Sequence, residues 1–404
     1  MKTRETNVYL DNNATTQCGP EVIEAMLPFF AGQHGNPSSP HLFGRQAAHA
    51  VALAREHIAE SIGCDPSDIC FTSCATEANN LVLLGLTHED TKRRKIITSV
   101  IEHKSVLGPC ESLAERGFEV ATIPVTEDGV IDLDAARSLI DERTLLVSVQ
   151  GANNEIGTLQ PVRTIADIAH EKGAAVHCDA AQLLGKVPVS LDEIRADFLS
   201  FSSHKAYGPK GIGFLAVRNH VRSVTLSPIL FGGGQENGLR PGTLNVPGIV
   251  GTGEACRLCK VFLKVEMDRI ASLRQSLEEG IHRLMPESVV IASGSQRLPG
   301  TTSIMFPGVP GDLLIARTPT VCMSIGSACT SGTVAPSHVL LALGLSRDEA
   351  RSIIRFSLGR YNTADEVLAA VSAISKAVDT IKESSTITEK INNNTDREVA
   401  KEVV

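Results

Sequence analysis

Between residues 8 and 217, short β-rich runs alternate with segments of helical period, and this alternation restricts the fold more than any other feature of the sequence. It is typical of a parallel sheet with helices on its faces. The β-rich runs are almost continuously apolar, as strands buried on both faces of a sheet must be. The predicted strands are 69–72, 95–99, 119–124, 144–149, 174–178, 197–202 and 212–217.

The helical segments and a later change of pattern predict a second domain. Helices are predicted at 44–61, 77–86, 106–116 and 164–172, three of them followed closely by a glycine. After Pro247 the pattern changes to a long helix at 249–284, short strands such as 302–306, and a helix at 364–382. We therefore expect an α/β fold with a large domain over 15–255, a smaller domain formed by 1–14 and 256–382, and a flexible polar tail over 383–404.

The composition describes a globular chain with a buried core. Its 404 residues are 42% hydrophobic and 21% charged, which excludes a collagen-like chain, a small disulfide scaffold and a wholly disordered protein. A net charge of −8 and the absence of Trp argue against direct nucleic-acid binding. Because no apolar run reaches the roughly 20 residues of a membrane-spanning helix, we expect a cytoplasmic protein with no membrane partner. Its ten cysteines are then expected to be reduced thiols.

Two motifs that would indicate other chemistry are incomplete. Cys256 and Cys259 have the spacing of a metal-ligand pair, but no second pair follows at zinc-finger distance and both lie in a predicted helix, so no metal is expected. Gly251 and Gly253 lack the third glycine of a dinucleotide-binding fingerprint, and the phosphate-loop motif of nucleotide hydrolases is absent from the sequence. A dinucleotide-binding function therefore has little support.

Polar residues at the ends of the predicted strands are the candidates for chemistry, because open parallel sheets bind ligands outside the carboxyl ends of their strands. The small, polar segment 73–80 follows a strand and opens a helix, so it is either an anion site or a simple capping box. Asp179 ends a buried strand, where an acid needs a cation, hydrogen bonds or a capping role. Lys205 follows the next strand and is either an amine nucleophile or a solvated loop charge.

Taken together, these residues match the needs of pyridoxal phosphate. That cofactor requires a lysine amine, an acid facing its pyridine nitrogen and a phosphate cradle. Lys205, Asp179 and the Ala75-Thr76 turn supply all three. Farther along, Cys329 is surrounded by Gly, Ser, Ala and Thr, which indicates either an exposed, mobile thiol able to act as a nucleophile or an incidental loop cysteine.

Ordered motifs over nearly the whole chain resemble pyridoxal-phosphate-dependent cysteine desulfurases of the NifS/IscS type, which are class-V aminotransferase-like proteins. The matching segments are 9–16 (YLDNNATT), 35–39 (GNPSS), 75–77 (ATE), 153–157 (NNEIG), 202–205 (SSHK), 240–243 (RPGT), 326–331 (GSACTS) and 354–360 (IRFSLGR). The resemblance implies the fold-type I architecture of pyridoxal-phosphate transferases, with a mostly parallel central sheet and a smaller C-terminal α/β domain.

The resemblance also implies roles for individual residues. Lys205 would hold the cofactor, Asp179 would pair with its ring nitrogen, His103 would stack on the ring and assist proton transfer, and Cys329 would be the nucleophile. Arg355 and Asn36 would bind the substrate carboxylate. The remaining cofactor contacts would come from Gln182 and Asn154 at the phenolic oxygen, from Ala75, Thr76, Ser202 and His204 at the phosphate, and from Thr243 of a second subunit.

The activity implied by the resemblance is that of a homodimer which converts L-cysteine to L-alanine, forms a persulfide on Cys329, and passes the sulfur to an acceptor protein. Iron–sulfur cluster assembly, transfer-RNA thiolation and DNA phosphorothioation all draw on such enzymes. A selenocysteine lyase, another pyridoxal-phosphate-dependent carbon–sulfur lyase and a non-catalytic sulfur-carrier scaffold are the alternatives. One position departs from the family pattern: Cys74 stands where glycine is usual, and it would be strained if that position required a positive φ.

Overall fold

The computed structural model describes residues 7–86, 92–218, 226–326 and 336–402, with side chains described as far as 384. The chain divides into two units. The larger unit is Asn12–Asp268 with Ala292–Pro299, and the smaller unit is Met1–Asp11 with Arg269–Ile291 and Gly300–Val404. The domain limits expected from the sequence stay a prediction.

The elements follow the predicted alternation. The strands are β1 (Val8–Tyr9), β2 (Ile69–Thr72), β3 (Lys95–Ser99), β4 (Glu119–Ile123), β5 (Thr144–Gln150), β6 (Ala175–Asp179), β7 (Phe198–Ser202), β8 (Gly213–Val217), β9 (Val289–Val290), β10 (Thr301–Met305), β11 (Val321–Cys322) and β12 (Ile353–Ser357). The helices are α1 (Pro20–Met26), α2 (Leu42–Ile62), α3 (Ala75–Gly85), α4 (Lys104–Glu115), α5 (Leu133–Leu139), α6 (Val162–Glu171), α7 (Leu191–Ile194), α8 (Val246–Leu284), α9 (Gly311–Arg317), α10 (His338–Ala342), α11 (Arg347–Arg351) and α12 (Ala364–Glu402).

In the described part of the larger unit, seven strands form one sheet in the order β2-β8-β7-β6-β5-β3-β4. Strands β3 to β7 pair in parallel, whereas β8 runs antiparallel to both β7 and β2. The expected α/β architecture with a mostly parallel sheet is therefore confirmed. The antiparallel strand β8 follows β7 after a short loop, too short for the helical crossover that a parallel connection requires.

Burial of the sheet on both faces explains the continuous apolar runs. Neighbouring residues of a strand point to opposite faces. Accordingly Ile97 and Val176 belong to one apolar cluster, whereas Ile96 and Ala175, next to them in sequence, belong to another. Their exposed fractions are all between 0% and 3%. Because both faces are covered, the ends of the strands are where side chains of this sheet can reach a ligand.

The smaller unit has sheets of its own. In its described part, β12, β10 and β9 form an antiparallel sheet, and β1 pairs in parallel with β11. Its last helix, α12, continues to Glu402 through most of the segment for which the sequence predicts a flexible tail. The flexibility of that segment stays a prediction. Within the part of the chain that the structure describes, no helix combines the length and the apolar character needed to span a membrane.

Candidate active site

Most of the predicted site residues lie at one edge of the large sheet. The carboxyl ends of parallel strands share an edge, and Asp179 and Ser202 are the last residues of the adjacent strands β6 and β7. The others follow strand ends on this edge: Ala75 and Thr76 open α3, His103 is the N-cap of α4, Asn154 and Gln182 lie after β5 and β6, and His204 and Lys205 form a 3-10 turn directly after β7.

The turn between β2 and α3 has the geometry of an anion site. Helix N-termini leave main-chain N–H groups without partners inside the helix, and the Cys74 side chain makes no capping hydrogen bond to α3. A Cβ atom built on Gly213 would lie 2.8 Å from the Cys74 Cα, and Gly213 pairs with Ser202 across the β7–β8 ladder. The close backbone approach at Gly213 therefore brings the start of α3 next to the end of β7.

The concern about strain at Cys74 is not borne out. Cys74 has φ −175° and ψ 173°, an extended conformation that any residue adopts. The capping-box alternative applies only in part. The Glu77 carboxylate accepts from the main-chain N–H of Ser73 (2.8 Å), a bond from the residue before the helix N-cap, and it also accepts from Arg240 Nε (2.8 Å), which is no part of a capping box. Burial raises the pKa of Glu77, but the hydrogen bonds from Arg240 and Ser73 outweigh it and hold that pKa below its usual value.

Asn13 links the candidate lysine to two other predicted ligands. Lys205 Nζ donates to the main-chain oxygens of Asn13 (2.6 Å) and Ala14 (2.7 Å). The amide of Gln182 also donates to the Asn13 oxygen (3.1 Å), while the Asn13 side chain donates to the main-chain oxygen of Asn154 (3.1 Å). Segment 9–16 thus supplies a main-chain frame in which Lys205, Gln182 and Asn154 are neighbours.

The electrostatic environment of this frame is positive. Burial and the nearby charges of Lys205, Lys210 and Lys186 together lower the pKa of His204 to about 4, and burial contributes most. His204 is therefore a neutral imidazole at neutral pH, and its Nδ1 lies 3.1 Å from the Thr15 hydroxyl oxygen. Three lysines around one half-buried imidazole provide a field that favours a bound anion such as a phosphate group.

Asp179 and His103 are connected by hydrogen bonds through two side chains for which the sequence predicted no role. Asn79 Nδ2 donates to Asp179 Oδ2 (2.8 Å) and to Ser105 Oγ (2.8 Å), and Ser105 Oγ lies 2.8 Å from His103 Nδ1. The other Asp179 oxygen accepts from the main-chain N–H of Ala181 (3.0 Å). Two residues of separate helices therefore connect the buried acid to the exposed histidine.

A second buried acid lies close to this network. Glu102 is fully buried, and its Oε1 accepts from the Ser99 hydroxyl and from the main-chain N–H of Gln150 (3.0 Å). Burial and, to a smaller extent, the charge of Asp179 outweigh those hydrogen bonds and raise the pKa of Glu102 to about 8. Glu102 therefore holds its proton at neutral pH.

Two predicted site residues of the larger unit are not part of this cluster. Asn36 and Thr243 are exposed, and Asn36 Oδ1 accepts from the main-chain N–H of Ser38 (3.0 Å). Arg355 is buried on β12 of the smaller unit, where it pairs with Asp11 (2.6 Å). Cys329 lies outside the described residues.

Residues that the sequence reasoning missed have weak sequence signals. Asn13 stands within the matched segment 9–16, and Asn79 and Ser105 stand close in sequence to Thr76 and His103. Spacing alone gave no reason to select them, because their contacts depend on how α3 and α4 pack on each other and on β6.

Comparison with known proteins identifies the family. The model of the family Aminotransferase class-V matches residues 8–369. The chain belongs to this family. Cysteine desulfurase IscS of Histophilus somni is 44% identical over 382 residues, 94% of each chain. The mitosomal cysteine desulfurase of Encephalitozoon cuniculi is 42% identical over 388 residues, which is 95% of this chain and 89% of that protein.

A solved structure agrees with the sequence relatives. One described as a NifS-like protein superposes with a TM-score of 0.87 at 39% identity, over 93% of this chain and 100% of that one. The resemblance noted from the motifs is confirmed, and so is the fold-type I architecture. Within the class-V aminotransferase family, the chain is a cysteine desulfurase, a pyridoxal-phosphate-dependent enzyme.

The residues present fit pyridoxal phosphate. Among the described residues, the Ser202 hydroxyl and the Asn79 side-chain oxygen are buried with no hydrogen-bond partner, although buried polar groups are almost always paired. Ser202 lies beside the helix N-terminus that is suited to a phosphate, and Asn79 contacts the acid suited to a ring nitrogen. Bound cofactor would supply polar atoms near both.

Proposed function

We propose that this enzyme converts L-cysteine to L-alanine, receives the sulfur on Cys329 as a persulfide, and transfers it to a sulfur-acceptor protein. The proposal rests on one observation above all: Lys205, Asp179 and Ser202 lie at the ends of two adjacent strands, and the Ser202 hydroxyl has no hydrogen-bond partner in the part of the chain that the structure describes. An amine, an acid and a phosphate ligand at one sheet edge are what the cofactor requires.

Lys205 holds the cofactor and later moves a proton in this proposal. Its Nζ donates hydrogen bonds to two main-chain oxygens, which orient the amine and carry no net charge of their own. When bound, pyridoxal phosphate supplies a conjugated ring that accepts the electron pair released at the substrate Cα. Lys205 Nζ then takes the proton from that carbon, and His103 assists the protonation steps that form alanine.

Asp179 and the phosphate ligands position the cofactor. We assign Asp179 to the pyridine nitrogen, since its carboxylate ends β6 and is oriented by N–H donors on both oxygens. The phosphate group is assigned to the N–H groups at Ala75 and Thr76 together with Ser202 and His204, which lie in a positive field. Gln182 and Asn154, held around Asn13, are assigned to the phenolic oxygen.

Cys329 is assigned the sulfur chemistry. Its thiolate attacks the sulfur of L-cysteine, the carbon–sulfur bond breaks with its electron pair left on the carbon side, and the new S–S bond leaves a persulfide on Cys329. By the family resemblance, Arg355 and Asn36 bind the substrate carboxylate, and Thr243 of a partner subunit contacts the phosphate of a homodimer.

The acceptor protein defines the pathway. We propose that it serves iron–sulfur cluster assembly, transfer-RNA thiolation or DNA phosphorothioation. Transfer of radioactive sulfur from labelled L-cysteine to one purified acceptor of each kind distinguishes them. The cytoplasmic location expected from the sequence stays a prediction.

Alanine and sulfide release from L-cysteine with added reductant tests the activity. Wild type, Lys205→Ala and Cys329→Ser are compared, with the visible spectrum recorded for each. We expect a yellow, active wild type, a colourless and inactive Lys205→Ala variant, and a yellow Cys329→Ser variant that releases no sulfide. A Cys329→Ser variant that keeps wild-type desulfuration would contradict the role of Cys329, and preference for L-selenocysteine in the same assay would favour a selenocysteine lyase.

A further inference from the structure

The hydrogen bonds between Asp179 and His103 have a fixed direction. Asn79 is fully buried, and its Nδ2, which can only donate, lies 2.8 Å from both Asp179 Oδ2 and Ser105 Oγ. The opposite amide orientation would place the Asn79 oxygen against a carboxylate. Ser105 Oγ therefore accepts from Asn79, and its own hydrogen remains available for His103 Nδ1, 2.8 Å away.

The main chain supplies a second donor to the same ring nitrogen. His103 is the N-cap of α4, and its Nδ1 accepts from the main-chain N–H of Ser105 (3.1 Å). That N–H cannot reverse its direction, whereas a hydroxyl can rotate. With both donors aimed at Nδ1, this nitrogen carries the lone pair and the ring proton lies on Nε2. A proton on His103 Nδ1 would point one N–H group at another, the main-chain N–H of Ser105.

We propose that Asn79 and Ser105 are positioning residues which join Asp179 and His103 into one hydrogen-bonded unit, the 79–105 relay, and hold His103 as the Nε2–H tautomer. The proposal deepens the proposed function and rests on the roles assigned there to Asp179 and His103. The relay fixes the acid and the imidazole relative to each other, so a bound cofactor ring would meet both groups already in place. His103 then offers the reaction an N–H donor at Nε2.

The burial of the relay supports a function beyond packing. Asn79 and Ser105 are 0% and 7% exposed, yet the Asn79 oxygen has no partner among the described residues. A buried amide that satisfies only its donors costs stability compared with an apolar side chain of similar size. Its retention is explained if both donors are needed, one for Asp179 and one for Ser105.

A double-mutant cycle of Asn79→Ala and Ser105→Ala in the holoenzyme tests the relay. We expect each single variant to lower kcat by about tenfold while KM for L-cysteine changes by less than about threefold, because substrate binding is left intact. The double variant should lose about as much as one single variant, since the two residues act as one unit. Ser105→Thr, which keeps the hydroxyl, should restore most of the activity.

Spectroscopy separates the relay from simple destabilisation. Asn79→Ala should shift the visible absorption band of the bound cofactor at unchanged cofactor content, because the acid assigned to the ring nitrogen loses one of its N–H donors. The control variants are Ser112→Ala and Glu111→Gln, both on the same helix as Ser105. Both should keep the wild-type spectrum and kcat.

The outcomes distinguish the relay from the function on which it rests. His103→Ala and Asp179→Asn are measured in parallel. If both are impaired while Asn79→Ala and Ser105→Ala behave like their controls, or if the two losses multiply in the double variant, the relay is overturned and the proposed function stands. If His103→Ala keeps full activity, the role assigned to His103 fails instead.

Discussion

At Cys74 the conformation of the main chain decides what a substitution does. The residue is extended, with φ −175°, so the glycine usual in the family is not demanded by strain at this position. We expect Cys74→Gly and Cys74→Ala to keep cofactor affinity within about threefold of wild type. Equilibrium titration of the apoenzyme with pyridoxal phosphate measures this. A tenfold loss of affinity in both variants would show that the thiol itself contributes to binding.

Glu102 should make stability depend on pH in the opposite sense to an ordinary paired carboxylate. Its folded-state pKa is raised from 4.5 to about 8, so between these values the folded protein holds a proton that the unfolded chain has lost. The free energy of unfolding therefore falls as pH rises through this window and levels off above it. Glu102→Gln keeps the acceptor oxygen and removes the titration.

We expect Glu102→Gln to melt at least about 3 °C above wild type at pH 8.5 and to match it at pH 5. The exposed Glu111, on α4, provides the control variant Glu111→Gln, whose melting temperature should follow wild type at both pH values. Thermal unfolding of the holoenzyme across this pH range is the measurement. A Glu102→Gln variant that melts below wild type at pH 8.5 would contradict a protonated Glu102.

At the scale of elements, the approach of β8 to the start of α3 controls the phosphate cradle. A Cβ on Gly213 would lie 2.5 Å from the main-chain oxygen of Phe201 and 2.8 Å from two Cys74 main-chain atoms. Because these are backbone atoms, they cannot move aside cheaply. Gly213→Ala should push α3 away from β7 and weaken cofactor binding by at least about tenfold, or prevent folding if the strands separate.

Gly108→Ala is the matched control for this prediction. Gly108 lies in α4, and a Cβ there would meet nothing within 4 Å. Because Pro109 follows and crowds a Cβ at this position, alanine should change stability by no more than about 1 kcal/mol, and it should leave cofactor affinity unchanged. The two variants are compared by cofactor titration and by urea unfolding. If a folded Gly213→Ala variant binds the cofactor with wild-type affinity, the close approach of β8 to α3 does not determine phosphate binding.

The elements themselves were largely predictable from the sequence, but their contacts were not. The predicted strand 174–178 is shifted by one residue from β6, and the predicted strand 197–202 begins one residue before β7, because sheet burial on both faces produces an apolar run with clear limits. The apolar sequence of β8, by contrast, does not indicate that this strand is antiparallel to its neighbours. The path from Asn79 through Ser105 to His103 depends on the packing of two helices, which periodicity does not encode.

At the scale of the whole molecule, motifs far apart in sequence define the candidate site. Asn13 and Lys205 belong to segments that matched the family, so Lys205 could be predicted, but their contact across the larger unit could not. Arg355 was predicted for the substrate carboxylate and lies in the smaller unit, paired with Asp11. Sequence similarity predicts which residues act, but the hydrogen bonds around those residues are seen only in the three-dimensional structure.

The proposed homodimer makes a prediction about mixed subunits. In this arrangement Thr243 of one subunit contacts the phosphate of the cofactor that the partner's Lys205 holds. A heterodimer of one Lys205→Ala subunit and one Thr243→Glu subunit then has one site in which both residues are intact. The other site carries both changes, and the added carboxylate repels a phosphate. Neither variant alone should be active, whereas heterodimers purified with two different affinity tags should show about half the wild-type kcat and bind one cofactor per dimer.

A site built within one subunit gives a different result. Each heterodimer subunit would then carry one damaged site, and activity would stay at the level of the single variants. Heterodimers of Lys205→Ala with wild type provide the reference for one working site per dimer. Thr243 is exposed in the single chain, and a Thr243→Glu homodimer loses the cofactor whether the contact is made within one subunit or with a second chain, so only the heterodimer distinguishes the two arrangements.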